Sequence, residues 1–189
     1  MTGFPSQDKP WLKYYEQRDY EKEIPHCNLF EFIYRRNKDF PKDIALEYYG
    51  SKISYEEFFC NVKRTAAALA ANGLKKGDYV TFFSVHTPEM LYCLYAANYI
   101  GAVSNLVYTT LSSNELIKTV RKTNSKFLFV FSPLADKVNK IQEQIPAEKI
   151  ITLSVSTFAG CNNDKNNANI TDTQTSEKDT SSTTQTSFE

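Results

Sequence analysis

The chain has 189 residues, with 22 basic and 22 acidic side chains and a formal net charge of zero. That balance removes the electrostatic case for a nucleic acid or an anionic membrane surface as partner, and no apolar run approaches the roughly 18 residues of a membrane span. The two histidines, His26 and His86, and four widely spaced cysteines, Cys27, Cys60, Cys93 and Cys161, lack the close ligand pairs of a zinc site. Free thiols and an N-terminus without a basic start and apolar core suit a reduced cytoplasm.

In chain order, residues 1–27 read as an aromatic and charged arm. Pro5, Pro10 and Pro25 interrupt regular structure, and Trp11, Tyr14, Tyr15 and Tyr20 are expected to lie across the domain. Asn28 caps a helix with Glu31 at the capping-box position and Leu29, Phe32 and Ile33 facing inward. Ile44 to Tyr49 and Lys52-Ile53 flank a hairpin turn at Gly50-Ser51. Ser54 and Glu57 open a long helix with an apolar stripe of Phe58, Val62, Ala66 and Leu69, which ends at Gly73.

A strand–helix–strand unit follows. Gly77-Asp78 makes a turn, and Tyr79 to Val85 is β-branched and aromatic enough for a buried strand. Thr87 is a good N-cap with Pro88 at the first helical position, where no N–H is missed. Met90, Leu91, Leu94 and Ala97 recur at helical spacing, Gly101 stops the helix, and Ala102 to Val107 is the next strand. The alternation repeats. Ser112 to Glu115 opens a helix with Leu116, Ile117 and Val120 on one face, and Lys126 to Phe131 is a strand. Ser132-Pro133 opens a helix carrying Leu134, Val138 and Ile141, and Lys149 to Val155 is a further strand. Near-continuous apolar strands alternating with helices predict a parallel α/β sheet covered on both faces. From Cys161 the text CNNDKNNANITDTQTSEKDTSSTTQTSFE has no Gly, no Pro and almost no apolar residue. It cannot bury enough surface to offset chain entropy, so residues 161–189 are expected to be a disordered polar tail behind a domain of residues 28–160.

Several stretches resemble the AMP-forming acyl-CoA synthetases, the adenylate-forming ligases of the AMP-binding enzyme family, in the family's order. Asn28 to Phe40 is similar to their first helix, and Ile44 to Phe58, IALEYYGSKISYEEF, to their hairpin and the helix start after it. Gly73 to Val80 is similar to their Gly-Val-x-x-Gly-Asp-x-Val turn. Pro88 to Val103 is similar to their Pro-x-x-Glu helix leading into a Gly-Ala element. KPWLKYY, Lys9 to Tyr15, resembles the lead-in of bacterial fatty-acid-type members. The resemblance implies the front part of such a ligase, a parallel βαβ layer from the first subdomain with a small β-hairpin. It also implies the family's reaction. A carboxylic acid attacks the α-phosphate of ATP, with Mg²⁺, to give an acyl-adenylate, and a thiol, usually coenzyme A, displaces AMP.

The family's phosphate loop reads Ser/Thr-Ser-Gly-Ser/Thr-Thr-Gly-x-Pro-Lys-Gly. Asp179 to Gln185, DTSSTTQ, has the hydroxyls but no glycine and no lysine, and Lys178 stands on the wrong side of it. The Tyr-Gly-x-Thr-Glu and Thr-Gly-Asp motifs and the late catalytic lysine have no counterpart. Where relatives tend to have a proline after Asn105, this chain has Tyr108-Thr109-Thr110. No catalytic, cofactor-binding or metal residue is therefore expected, and no cofactor for this chain alone. The expected partners are the remainder of the ligase or a second copy. The alternatives are a non-catalytic interaction module, the front half of a split ligase, or a small nucleotide-binding domain. The last is weakest, since no Gly-rich strand–helix turn occurs.

His86, at the end of the first parallel strand, and Tyr108 and Thr109, after the second, occupy the edge where α/β sheets bind ligands. Their simplest reading is as loop and turn residues. Glu56 and Glu57 are neighbours that point about 100° apart on a helix, so they read as first-turn charges. Lys118, Arg121 and Lys122 read as a solvated helix face.

Overall fold

The computed structural model describes residues 2–16, 23 and 25–154. Tyr20 and the polar stretch 161–189 lie outside them. The described elements are α1 (Pro5–Asp8), α2 (Leu29–Asn37), β1 (Ile44–Tyr48), β2 (Ser51–Ser54), α3 (Tyr55–Ala71), β3 (Tyr79–Phe83), α4 (Pro88–Ile100), β4 (Val103–Leu106), α5 (Ser113–Thr123), β5 (Phe127–Phe131), α6 (Ala135–Asn139) and β6 (Lys149–Leu153).

Strands β3 to β6 form one parallel sheet in the order β4-β3-β5-β6, and β1 and β2 pair antiparallel as a separate hairpin. Alternate side chains of β3 and β5 enter different cores. Val80, Phe82, Phe127 and Phe129 pack on one side with Phe58, Val62, Ala66 and Leu69 of α3 and Met90, Cys93 and Ala97 of α4. Phe83, Leu128 and Val130 pack on the other with Leu116, Ile117 and Val120 of α5 and with Val138. Both faces are thus covered, which explains why the strands read as continuous apolar runs. Phe82 and Phe129 stack at 4.6 Å between ring centroids in the middle of the first core.

Local chemistry sets the helix starts. Ser54 and Ser112 each accept the N–H three residues on, and Glu57 and Glu115 reach back to the cap N–H, completing two capping boxes. Thr87 accepts the Met90 N–H at 3.2 Å ahead of Pro88. Gly101, at φ 90°, ends α4 in the left-handed region.

Several local expectations are corrected. Asn28 caps α2 by accepting the Glu31 N–H at 2.8 Å, but the Glu31 carboxylate turns to Arg35, so no reciprocal box forms. The buried residue of α2 is Phe30, rather than Leu29 or Phe32. The Phe30 N–H donates to Asn98 Oδ1 at 2.8 Å, so α4 sets the rotation of α2. The hairpin turns at Tyr49-Gly50, both at positive φ (47° and 82°), the pattern of a two-residue turn matched to strand twist. Helix α3 stops at Ala71, before Gly73. In α4 the buried residues include Met90, Cys93, Ala96 and Ala97, with Leu91 and Leu94 half-buried between layers. The helix after Ser132-Pro133 breaks into a 3-10 turn, the short α6 and a second 3-10 turn. The strands are shorter than expected, and β3 ends at Phe83. The described part of the arm has α1 and a 3-10 helix at Pro10–Tyr14, and Trp11, Tyr14 and Tyr15 are exposed rather than laid against the core.

Candidate functional site at the carboxyl edge of the parallel sheet

Adjacent strands β3 and β5 send their chains to opposite faces. β3 leads to α4 in the first core, and β5 leads towards α6 in the second. The loops that follow these two strands therefore leave the sheet towards opposite faces beyond the carboxyl ends, the place where open α/β sheets receive ligands. This edge comprises Ser84 to Thr87 after β3, Val107 to Leu111 after β4, and Ser132-Pro133 after β5.

The side chains there are sparsely fixed. The Ser84 hydroxyl turns back to the Val85 carbonyl at 2.9 Å. Thr87 is buried and used as a helix cap. His86 is exposed, Tyr108 is 83% exposed and Thr109 is half-buried. The structure places all three at the expected edge. Among the described residues it brings no group into hydrogen-bond range of the His86 ring. The β4–α5 loop is held by the Val107 N–H on the Phe82 carbonyl at 3.1 Å and by the Lys137 ammonium on the Leu111 carbonyl. Lys137 also lies 5.4 Å from the centre of the Phe83 ring. The hydrogen bonds from the Ser112 hydroxyl and N–H, reinforced by Lys118 and Lys137, hold the exposed Glu115 carboxyl below its usual range.

Sequence reasoning missed Lys137, whose partner is 26 residues away, and no local signal would have pointed to it. It also missed a polar chain that runs from β4 through the middle of β3 to the residues before β5, towards the amino end of the sheet. Asn105 donates to Thr81 Oγ1 at 3.1 Å, Thr81 and Ser125 hydroxyls meet at 2.6 Å, and Ser125 and Thr123 at 2.7 Å. Thr81 sits in a run of large apolar residues and reads simply as strand. Its hydroxyl is satisfied from two other elements, which is what makes its burial tolerable.

The Gly73–Val80 stretch lies at the other end of the sheet and does structural work. The Gly77 N–H donates to the Gly101 carbonyl at 2.9 Å. Lys126 donates to the Gly73 carbonyl at 2.8 Å and to Asp78 at 3.1 Å, with Glu148 at 3.9 Å. Burial pushes the Asp78 carboxyl up, but the Lys75 N–H and the Lys126 ammonium outweigh it and hold the group below its usual value. Glu56 is exposed and Glu57 is used in its capping box, as their first-turn positions require. Lys118, Arg121 and Lys122 are exposed.

The carboxyl edge has no phosphate-wrapping loop among the described residues. Gly50, Gly73, Gly77 and Gly101 serve separate turns at positive φ, and Gly3 lies in the arm. No group of three or more His, Cys, Asp or Glu side chains gathers to hold a metal among the described residues. No helix there is long and apolar enough to cross a membrane. Residues 33–187 match the model of the AMP-binding enzyme family. The chain belongs to that family.

Among its relatives, the 4-hydroxybutyrate–CoA ligase 2 of Metallosphaera sedula is 31% identical over 120 residues, 64% of this chain and 22% of the relative. The long-chain-fatty-acid–CoA ligase of Bacillus subtilis is 25% identical over 154 residues, 79% of this chain and 27% of that enzyme. The chain thus spans about a quarter of the length of these curated relatives. Among solved structures, the N-terminal domain of FACL13 from Mycobacterium tuberculosis superposes with a TM-score of 0.62 at 24% identity. The match covers 67% of this chain and 33% of that one and bears on the fold alone. The chain thus holds part of an AMP-binding enzyme domain, similar to the corresponding part of acid–CoA ligases.

Proposed function

We propose that these residues form the front scaffold of an AMP-forming acid–CoA ligase and that the 189-residue chain does not form acyl-adenylate by itself. The observation that carries this is the carboxyl edge of the parallel sheet. It has the topology of a ligand site, yet among the described residues the Lys137 ammonium on its flank is taken up by the Leu111 carbonyl and the Phe83 ring. The hydroxyl-rich stretch Asp179–Gln185 offers no glycine to bring backbone N–H groups close to a phosphate and no lysine within it. In this reading ATP, Mg²⁺ and coenzyme A belong to the assembled ligase. The free thiols of Cys27, Cys60 and Cys93 support a cytoplasmic setting.

The test is pyrophosphate release from ATP and Mg²⁺ with a panel of short, fatty and aromatic acids. Release should match the protein-free blank, since losing even one oxyanion donor costs about 10²–10³ in rate. Acid-dependent release above the blank would overturn the proposal.

A second reading, a module that works only when paired with another polypeptide such as the rest of a ligase, is favoured by one observation. Edge strand β4, Val103–Leu106, carries no charge or proline, and Val103 and Leu106 are 43% and 50% exposed beside Tyr79 and Tyr108. Bare edges of this kind pair with other chains. Light scattering across a concentration series should show self-association, weakened by Leu106→Lys. A monodisperse monomer at high micromolar concentration would favour a self-sufficient domain.

A further inference from the structure

Strand β4 ends the parallel sheet on one side, pairing with β3 alone among the described residues. The Val103 and Val107 N–H groups turn inward onto the Asp78 and Phe82 carbonyls, at 2.8 and 3.1 Å. Hydrogen-bonding direction alternates along a strand, so Ser104 and Leu106 present both N–H and C=O to the open side. Side chains alternate as well, so Val103, Asn105 and Val107 share one face. That face reads the same from either end. The Asn105 amide donates one N–H to Thr81 Oγ1 at 3.1 Å and, among the described residues, makes no other hydrogen bond. Its carbonyl oxygen and second N–H remain for a further partner.

We propose that two copies of this chain join β4 to β4, antiparallel and in register about Asn105, so that their sheets become one. The proposal rests on the self-association reading above and adds the strand, its direction and its register. In this register each Ser104 exchanges N–H and C=O bonds with Leu106 of the other copy, which answers every open backbone group of the strand. Asn105 falls on the two-fold axis at a position without backbone bonds, where facing side chains come closest and the two amides can bond to each other. Val103 of one copy faces Val107 of the other. An unrelated strand could supply the backbone bonds, but a second copy brings matching Val, Asn and Val with no further requirement. The strand carries no charge and the chain no net charge, so long-range repulsion does not oppose the approach.

Disulfide trapping in the full chain reads the register. Cys27, Cys60 and Cys161 are changed to Ser, and Cys93 stays, because burial, helped by Glu89, pushes its thiol up to about 12. Asn105→Cys should give a disulfide-linked dimer on mild oxidation, since facing residues at such a site have Cα atoms about 4.5 Å apart, within bridging range. Val103→Cys should give at least about tenfold less, since the register holds the two Val103 Cα atoms about 14 Å apart. Ser104→Pro removes only an outward N–H from the ladder. It should leave the melting temperature nearly unchanged and cut the trapped dimer about tenfold. With the native cysteines and Asn105 restored, Ser104→Pro should weaken association seen by light scattering by a similar factor. In a chain that associates, no trapping at 105, equal trapping at 103, or association unchanged by Ser104→Pro would overturn the β4 pairing and leave the self-association reading standing. A chain that stays monomeric at high micromolar concentration and traps no dimer overturns both.

Discussion

At the amino end of the parallel sheet, Lys126 joins the loop after α3, the turn before β3 and the approach to β6 through Gly73, Asp78 and Glu148. Lys149 adds a bond to Asn72 at 3.1 Å, and the Asp78 carbonyl receives the Val103 N–H at 2.8 Å. At the carboxyl end, by contrast, one lysine holds one loop, and His86 and Tyr108 stand in solvent. The difference separates two jobs. Parallel strands need their starts aligned before their side chains can pack, so the amino end is cross-linked. The edge at which open α/β sheets receive ligands leaves polar groups and backbone uncommitted, and the carboxyl end here has that character.

The strongest way to break this contrast is Lys126→Ala. It leaves the Asp78 carboxylate with the Lys75 N–H alone and removes the Lys126 donor from the Gly73 carbonyl, and should cost about 1–2 kcal/mol, read as a fall in the urea midpoint with unchanged slope. A loss within error would mean that the amino end is no better fixed than the other.

Gly101→Ala should cost about 1 kcal/mol. The position has φ 90°, and an added Cβ would meet Lys76 Cγ at 3.0 Å. The Lys76 chain can swing aside, so the backbone conformation sets most of the effect. Thermal melts of the two chains at matched concentration decide it.

Acid sharpens the comparison further. The folded Asp78 carboxyl titrates below its unfolded value, so its contribution is present above the ordinary aspartate range and is lost as pH falls through the folded pKa. The gap in melting temperature between the native chain and Asp78→Asn should therefore be widest near neutrality and close in acid. A gap that widens as pH falls would contradict the sign of the shift. The smallest effects belong to the carboxyl edge. His86→Ala and Tyr108→Ala should each stay within about 0.5 kcal/mol, because no packed group is lost. A larger cost in either would show that this edge also bears structure.

Much of the architecture was legible because its signals are local. The Ser54–Glu57 and Ser112–Glu115 boxes, the α3 stripe and the apolar runs of β3 and β5 depend on spacings of a few residues, and each is found where that spacing places it. The same logic misjudged α2. Periodicity put Leu29, Phe32 and Ile33 inward, and the bond to Asn98, far along the chain, turned Phe30 to the core instead of Leu29 or Phe32. It also overextended the helix after Pro133, where the residues settle into short turns around Val138. The candidate edge was legible only as strand ends. The grouping of His86, Tyr108, Thr109 and Lys137 there depends on strand order.

Sequence by itself determined the alternation of elements, the points where helices start, and the absence of a glycine-rich phosphate loop, since each is written in neighbouring residues. Strand order β4-β3-β5-β6, the Lys126–Asp78 link across 48 residues and the hydrogen-bonded chain from the Asn105 amide through Thr81 and Ser125 to Thr123 were decided by tertiary structure. These contacts join groups with no local preference for one another. They form only because burying two apolar faces at once leaves each polar group one place to find a partner.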